Sequence, residues 1–136
     1  MHILKVFTEK RITGNVGEDA ACRYLRRRFY KIVERNLVEG GHEIDIVAEN
    51  RKYLCFVEVK TRTASKIGSK ESRPALSVTP EKQRSIISAA NIYTRFRNTH
   101  KKIRFDVAEV YLDDEKKVIK INYMESAFTA NTSFAR

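Results

Sequence analysis

Glu43-Ile44-Asp45-Ile46-Val47-Ala48-Glu49 and, after the break Asn50-Arg51-Lys52, Tyr53-Leu54-Cys55-Phe56-Val57-Glu58-Val59-Lys60 decide the reading of this chain. Both stretches are rich in β-branched and aromatic residues, and the first alternates well, so each predicts a strand. A three-residue link is too short for a crossover, so the two strands pair antiparallel. Side chains alternate across a strand, which puts Glu43 and Asp45 on one face, as it does Glu58 and Lys60. Pairing about the Asn50 turn sets residues near 45 opposite residues near 58. Two carboxylates and an ammonium group then share one patch of sheet.

The ordinary reading of such a patch is an exposed sheet face with cross-strand ion pairs, which are common and contribute little. Two features weigh against it. Asp45 stands between Ile44 and Ile46, and Glu58 interrupts the apolar run Leu54 to Val59, so both strands read as largely buried. Charges in such strands are costly unless paired or bound to metal. The mixture of signs also suits phosphodiester cleavage: carboxylates hold Mg²⁺, and a neighbouring lysine positions or deprotonates water and neutralises developing charge.

Outward from this pair, Tyr30 to Asn36 is a weaker strand signal, separated from the next by the turn Gly40-Gly41, so the three strands predict an antiparallel meander. Upstream, Val16, Ala20, Ala21, Tyr24, Leu25 and Phe29 form a stripe at helical spacing and predict a helix over about 14–29. Gly17 lies within the stripe, where a missing side chain allows close backbone packing. Arg23, Arg26, Arg27, Arg28 and Lys31 crowd the other side and the exit of that helix. Residues 1–12 read as an arm. Downstream, residues 61–78 form a long basic loop carrying Arg62, Lys66, Lys70 and Arg73, and loops of this length are usually functional or disordered. Thr79-Pro80-Glu81 is a helix start of cap, first-position proline and acid. Ile86, Ala89, Ala90 and Tyr93 are the buried face of the helix it opens. Ile103 to Leu112 and Lys117 to Tyr123 predict two more strands about the turn Asp113-Asp114-Glu115, leaving 126–136 as a tail.

The order is therefore α-β-β-β-α-β-β in one α/β domain over 13–125, a mixed sheet flanked by helices, with the strands on either side of the second helix parallel. At 136 residues the chain is long enough for a single core. Its 27 Lys and Arg against 17 Asp and Glu give a formal net charge of +10, which favours polyanionic partners. Cys22 and Cys55 are too far apart in sequence for a zinc motif and read as buried free thiols. Three scattered histidines argue against a histidine-based metal site. No stretch has membrane-spanning length, and Met1 to Phe7 is too short for a signal-peptide core, so a cytoplasmic location is expected.

The ordered string Gly14-x-x-Gly17-Glu18-x-x-Ala21, Arg35-Asn36, Glu43-Ile44-Asp45, Phe56-Val57-Glu58-Val59-Lys60-Thr61-Arg62, Lys82 and Arg104-Phe105-Asp106-Val107 resembles the YraN-like family of bacterial proteins, predicted endonucleases. The resemblance spans about 13–125. It implies a restriction-endonuclease-like core of the PD-(D/E)xK type, distantly similar to Holliday-junction resolvases, acting on DNA with Mg²⁺ or Mn²⁺. It also implies that Asp45 and Glu58 are metal ligands, completed by the Val59 carbonyl, that Lys60 is the catalytic lysine, and that Glu18 is a further acid at the site. His42 replaces the glycine common before Glu-Ile-Asp. A homodimer is plausible by the same likeness.

Several residues keep two readings. Glu18 is either that site acid or the return partner of an Asn15 cap. Lys82 is either a snorkelling side chain or, at a helix N-terminus, a phosphate ligand. Glu43 reads as a solvated charge, and Arg104 with Asp106 as a structural ion pair. Phe29, Tyr30 and Tyr53 read as packing residues rather than stacking platforms. For the whole chain, the alternatives to a nuclease are a non-catalytic nucleic-acid-binding module of the same fold and a protein that docks an acidic partner.

Overall fold

In a computed structural model the backbone is described for residues 2–66 and 78–130, and the side chains for 11–65 and 78–130. The elements are α1 (His2–Arg27), β1 (Lys31–Glu39), β2 (His42–Glu49), β3 (Tyr53–Thr63), α2 (Pro80–Arg95), β4 (Lys102–Leu112) and β5 (Val118–Phe128), with a short 3₁₀ turn at Ala64–Lys66. The strands form one sheet in the order β1-β2-β3-β4-β5. Neighbours run antiparallel except β3 and β4, which are parallel across α2. The mixed sheet and the order α-β-β-β-α-β-β are those expected.

Both faces of the sheet are covered. Ala21, Cys22 and Leu25 of α1 pack on Ile46, Cys55, Val57 and Ala108. On the other face Ile86, Ile87, Ala90 and Tyr93 of α2 pack on Ile44, Leu54, Phe56 and Phe105. Two-sided burial explains why β3 and β4 read as continuous apolar runs rather than alternating ones. Cys22 and Cys55 are buried free thiols, as expected. Thr79 caps α2, its hydroxyl accepting from Lys82 N at 3.1 Å, with Pro80 in the first turn. Gly40 (φ 58°) and Gly41 (φ 79°) make the β1–β2 turn in the left-handed region that a two-residue hairpin needs.

Several boundaries or placements differ from the sequence reading, and β1, expected to stop at Asn36, runs on to Glu39. Residues 2–12, expected as an arm, continue α1, which starts at His2. Strand β3 runs three residues past Lys60, to Thr63. Strand β5 runs on past Tyr123 to Phe128, so residues 126–128 belong to the sheet rather than to a tail. It passes Ser126 (φ 52°) because the Ser126 N–H donates to the buried Asp106 carboxylate at 3.0 Å, a side-chain anchor no local pattern advertises. Phe29, counted into the buried stripe, is 91% exposed, because α1 stops at Arg27 and the chain turns before the stripe's next position comes round.

Candidate active site

The β2–β3 ladder ends at Ile46 opposite Val57. One further step would bring Asp45 opposite Glu58, but there the two backbones part. The gap is bridged by a side chain: the Val59 N–H donates to Asp45 Oδ2 at 2.8 Å. A carboxylate thus accepts a strand N–H where the paired backbone no longer does. Glu58, 6% exposed, lies beside the Asp45 side chain. Burial pushes the Asp45 carboxyl up to about 7, the Glu58 charge adds to the effect, and the Val59 N–H opposes it. The negative charge of Asp45 is therefore penalised where it stands, and a cation there would relieve that penalty. Lys60 lies on the same face, with Nζ 3.5 Å from Glu58 Oε2.

Helix α1 brings in the third acid. Gly17 is buried against Thr61 of β3, and a Cβ at Gly17 would collide with the Thr61 hydroxyl. That close approach sets Glu18 near enough to Asp45 that, after burial, the Asp45 charge is the main cause of its raised pKa. Arg35 holds it from the other side, Nη2 to Glu18 Oε1 at 3.4 Å, and also reaches Asp19 at 2.9 Å. The capping reading of Glu18 is overturned, because Asn15 and Glu18 lie more than three turns inside a helix that begins at His2.

Asp45, Glu58, Lys60 and Glu18 therefore converge at one end of the sheet. The described contact of Val59 is through its N–H, not its carbonyl. Glu43 is exposed and acts on Asp45 only as a weak further negative charge. Arg62 turns inward, its Nε 3.3 Å from Glu109 Oε2. Lys82 stands in the first turn of α2, and among the described residues no ion pair ties it to the acids. Lys70 and Arg73 lie outside the described residues, and Lys66 is described by its backbone alone.

Two participants escaped the sequence reading. Arg35 had no role assigned, since its acids come from a helix far away in sequence. Glu109 is fully buried and paired in register with Lys60 across β3 and β4. An acid inside the apolar run Val107 to Leu112 was the available signal. Elsewhere, Asp106 accepts from Arg104 (2.9 Å), Tyr123 (2.6 Å) and Ser126 N, and Arg104 also reaches the Tyr30 hydroxyl at 2.8 Å. This is the expected structural pair, enlarged into a network.

Among the described residues no three of His, Cys, Asp and Glu are grouped as a ready-made metal cage. The donor set that exists is the Asp45–Glu58 pair, where burial and the mutual closeness of the two acids make added positive charge favourable. Mg²⁺ commonly takes only one or two carboxylates and keeps several waters, so two acids suffice in number and type.

Fold and site define a small α/β protein whose central antiparallel strands part around an acid–acid–lysine cluster. Comparison with known proteins gives the same answer more narrowly. Residues 17–110 match the model of "Uncharacterised protein family UPF0102". The chain is 39% identical over 121 residues to a UPF0102 protein of Caldanaerobacter subterraneus, covering 88% of this chain and 96% of that one. It is 40% identical over 119 residues to one from Clostridium beijerinckii (87% and 94%) and 37% over 120 residues to one from Chlorobium phaeobacteroides (85% and 92%). The chain belongs to the UPF0102, YraN-like family. Among the described residues no helix is long and apolar enough to cross a membrane.

Proposed function

We propose that this protein is a Mg²⁺- or Mn²⁺-dependent endonuclease of the restriction-endonuclease-like, PD-(D/E)xK class that cuts DNA phosphodiester bonds, with structured or branched DNA as its substrate. The observation that carries the reading is the adjacent Asp45–Glu58 pair in the gap between β2 and β3, with the Val59 N–H on Asp45 and Lys60 beside Glu58. The two acids would hold the cation, with the Val59 carbonyl as a third donor and water filling the remaining positions. When bound, the cation would polarise a phosphoryl oxygen and lower the pKa of attacking water. Lys60, on its strand next to Glu58, would orient that water and neutralise charge developing on the phosphate. Glu18 would take part from the α1 side, set by Gly17 and steadied by Arg35. Lys66, Lys70, Arg73 and Lys82 are the cations that would meet the nucleic-acid backbone, while Arg62, expected to join them, is tied to Glu109.

The test is cleavage of duplex, single-stranded and four-way-junction DNA with Mg²⁺ or Mn²⁺, by wild type and by Asp45→Ala and Lys60→Ala. The expected loss for each variant is on the order of 10²-fold or more. Cleavage by wild type no faster than by Asp45→Ala, on every substrate, sinks the reading. Salt-sensitive DNA binding without cleavage would then make the protein a binding module of nuclease-like fold.

A further inference from the structure

The end of the sheet away from the acids is a basic pole. Strand β1 starts at Lys31 opposite Glu49, the end of β2, and β3 starts at Tyr53 opposite Lys102, the start of β4. Helices α1 and α2 both finish at this end, leading into β1 and β4. Residues 26–31, 49–52 and 95–102, which make up the pole, hold ten of the 27 Lys and Arg and one acid, Glu49. Nearly the whole formal net charge of +10 is concentrated there.

Cations after a helix C-terminus answer the negative end of the macrodipole, and that accounts for Arg26, Arg27, Arg28 and Arg95. It does not account for Arg51 and Lys52 in the β2–β3 turn or Lys102 on β4. These three are exposed and have no acidic partner among the described residues, whereas Lys101 is paired with Glu49 at 2.9 Å. Arg51, Lys52 and Lys102, with Asn98, Thr99 and His100, line a depression of about 540 Å³. A second depression, about 270 Å³, shares Arg51 and Lys101 with it and adds Lys31 and Phe29. The surface is therefore a shallow, open track of cations with amide and hydroxyl groups, carrying the acid Glu49 beside Lys101 and ending at an aromatic ring.

Phe29 is the second observation. It sits where a helix ends in a left-handed turn: Phe29 N–H reaches Arg26 O and Tyr30 N–H reaches Leu25 O, each at 3.0 Å, with Phe29 at φ 67°. Glycine is the residue that fits this position without strain. A bulky aromatic there, 91% exposed, carries the backbone cost and gains almost no burial in return. Folding does not explain it. Phe96, just past the end of α2, is 81% exposed at the same pole.

We propose that this pole is a second nucleic-acid-binding surface, distinct from the acid cluster, that holds a single strand with its phosphates on Arg51, Lys52 and Lys102 and a base stacked on Phe29. Unpaired bases offer the faces that an exposed ring can stack on, and cationic grooves track their backbone. Amide and hydroxyl groups beside the cations, at Asn98 and Thr99, offer hydrogen bonds to the sugars and base edges of a strand. The pole lies roughly 17 Å from Glu58, at about 3.3 Å per residue along β3 from Tyr53. A strand anchored there can extend to the acid cluster. The proposal concerns binding alone and holds whether or not the acid cluster cuts.

The test compares Arg51→Glu/Lys52→Glu/Lys102→Glu with Lys116→Glu/Lys117→Glu/Lys120→Glu, which lowers the net charge equally at the β4–β5 end. Binding of a labelled single strand of roughly 20 nucleotides is followed against salt. The expected result is at least a tenfold loss for the pole variant, with a salt slope shallower by about two, and a much smaller loss for the control. Equal losses overturn the proposal, because net charge alone then explains binding. Phe29→Gly should weaken single-strand binding several-fold while leaving thermal stability equal or higher. A fall in stability would mean that Phe29 is a packing residue and would overturn its stacking role. Tighter binding of phosphatidylserine vesicles than of the strand, lost in the pole variant, would reassign the surface to membranes and also overturn the proposal.

Discussion

Asp45 is an acid held where ionisation is penalised, by burial and by Glu58 beside it. Its folded pKa, pushed up to about 7, lies above the ordinary value of 3.8. A raised acid stabilises the fold below its unfolded pKa, and that contribution is lost as pH rises through the folded value. Asp45→Asn keeps an acceptor for the Val59 N–H and removes the charge. In chelator, the variant should melt close to wild type near pH 4 and be more stable by roughly 4 kcal/mol at pH 8. Thermal melts across that range provide the check, and a gap that fails to widen with pH would remove the account of Asp45 as a penalised charge. The same penalty explains how a cation would act on stability, by neutralising that charge. Cys55 illustrates burial at a residue with no such role: its thiol is pushed up to about 12 by desolvation and the Asp106 charge, which keeps it protonated and unreactive.

At the scale of elements, the contact that places the site is α1 on β3. Alanine is the better helix former by about 1 kcal/mol, so an unconstrained Gly17→Ala change would stabilise α1. Here the added methyl meets Thr61, and we expect a net loss of roughly 1–3 kcal/mol, with Thr61→Ala restoring much of it in the double variant. Urea unfolding of the four proteins of that cycle measures the coupling. Additive effects would mean that helix and strand do not touch there. The elements themselves were largely legible: the Thr79-Pro80-Glu81 start, the Gly40-Gly41 turn and the alternation about Asp45 each rest on local chemistry. The start of α1 and the end of β5 were not. Residues 2–12 have no cap signal to separate them from a fraying arm, and β5 continues past Tyr123 where Ser126 is tied to Asp106 and Phe128 stacks on Phe105.

On the scale of the whole molecule, the Asp106 network joins elements that are distant in sequence. Tyr30 follows α1, Arg104 and Asp106 are on β4, and Tyr123 and Ser126 are on β5. Removing the acid would leave Arg104, 6% exposed, as a buried cation without its main partner. We expect Asp106→Ala to cost roughly 3–5 kcal/mol in chemical denaturation, far more than Glu43→Ala at an exposed position. Similar costs for the two would show the network to be dispensable. The distribution of charge also belongs to this scale, with acids at one end of the sheet and unpaired cations at the other.

The sequence by itself determined the class of fold, the order of the elements and the candidacy of Asp45, Glu58 and Lys60, because apolar periodicity, turn residues and strand alternation are local properties. Only the tertiary structure decided that β2 and β3 part at Asp45, that Glu18 faces it rather than capping a helix, and that three cationic segments far apart in sequence meet at one pole around an exposed Phe29. Each of these depends on which segments the packed sheet brings together, and no single stretch of chain carries that information.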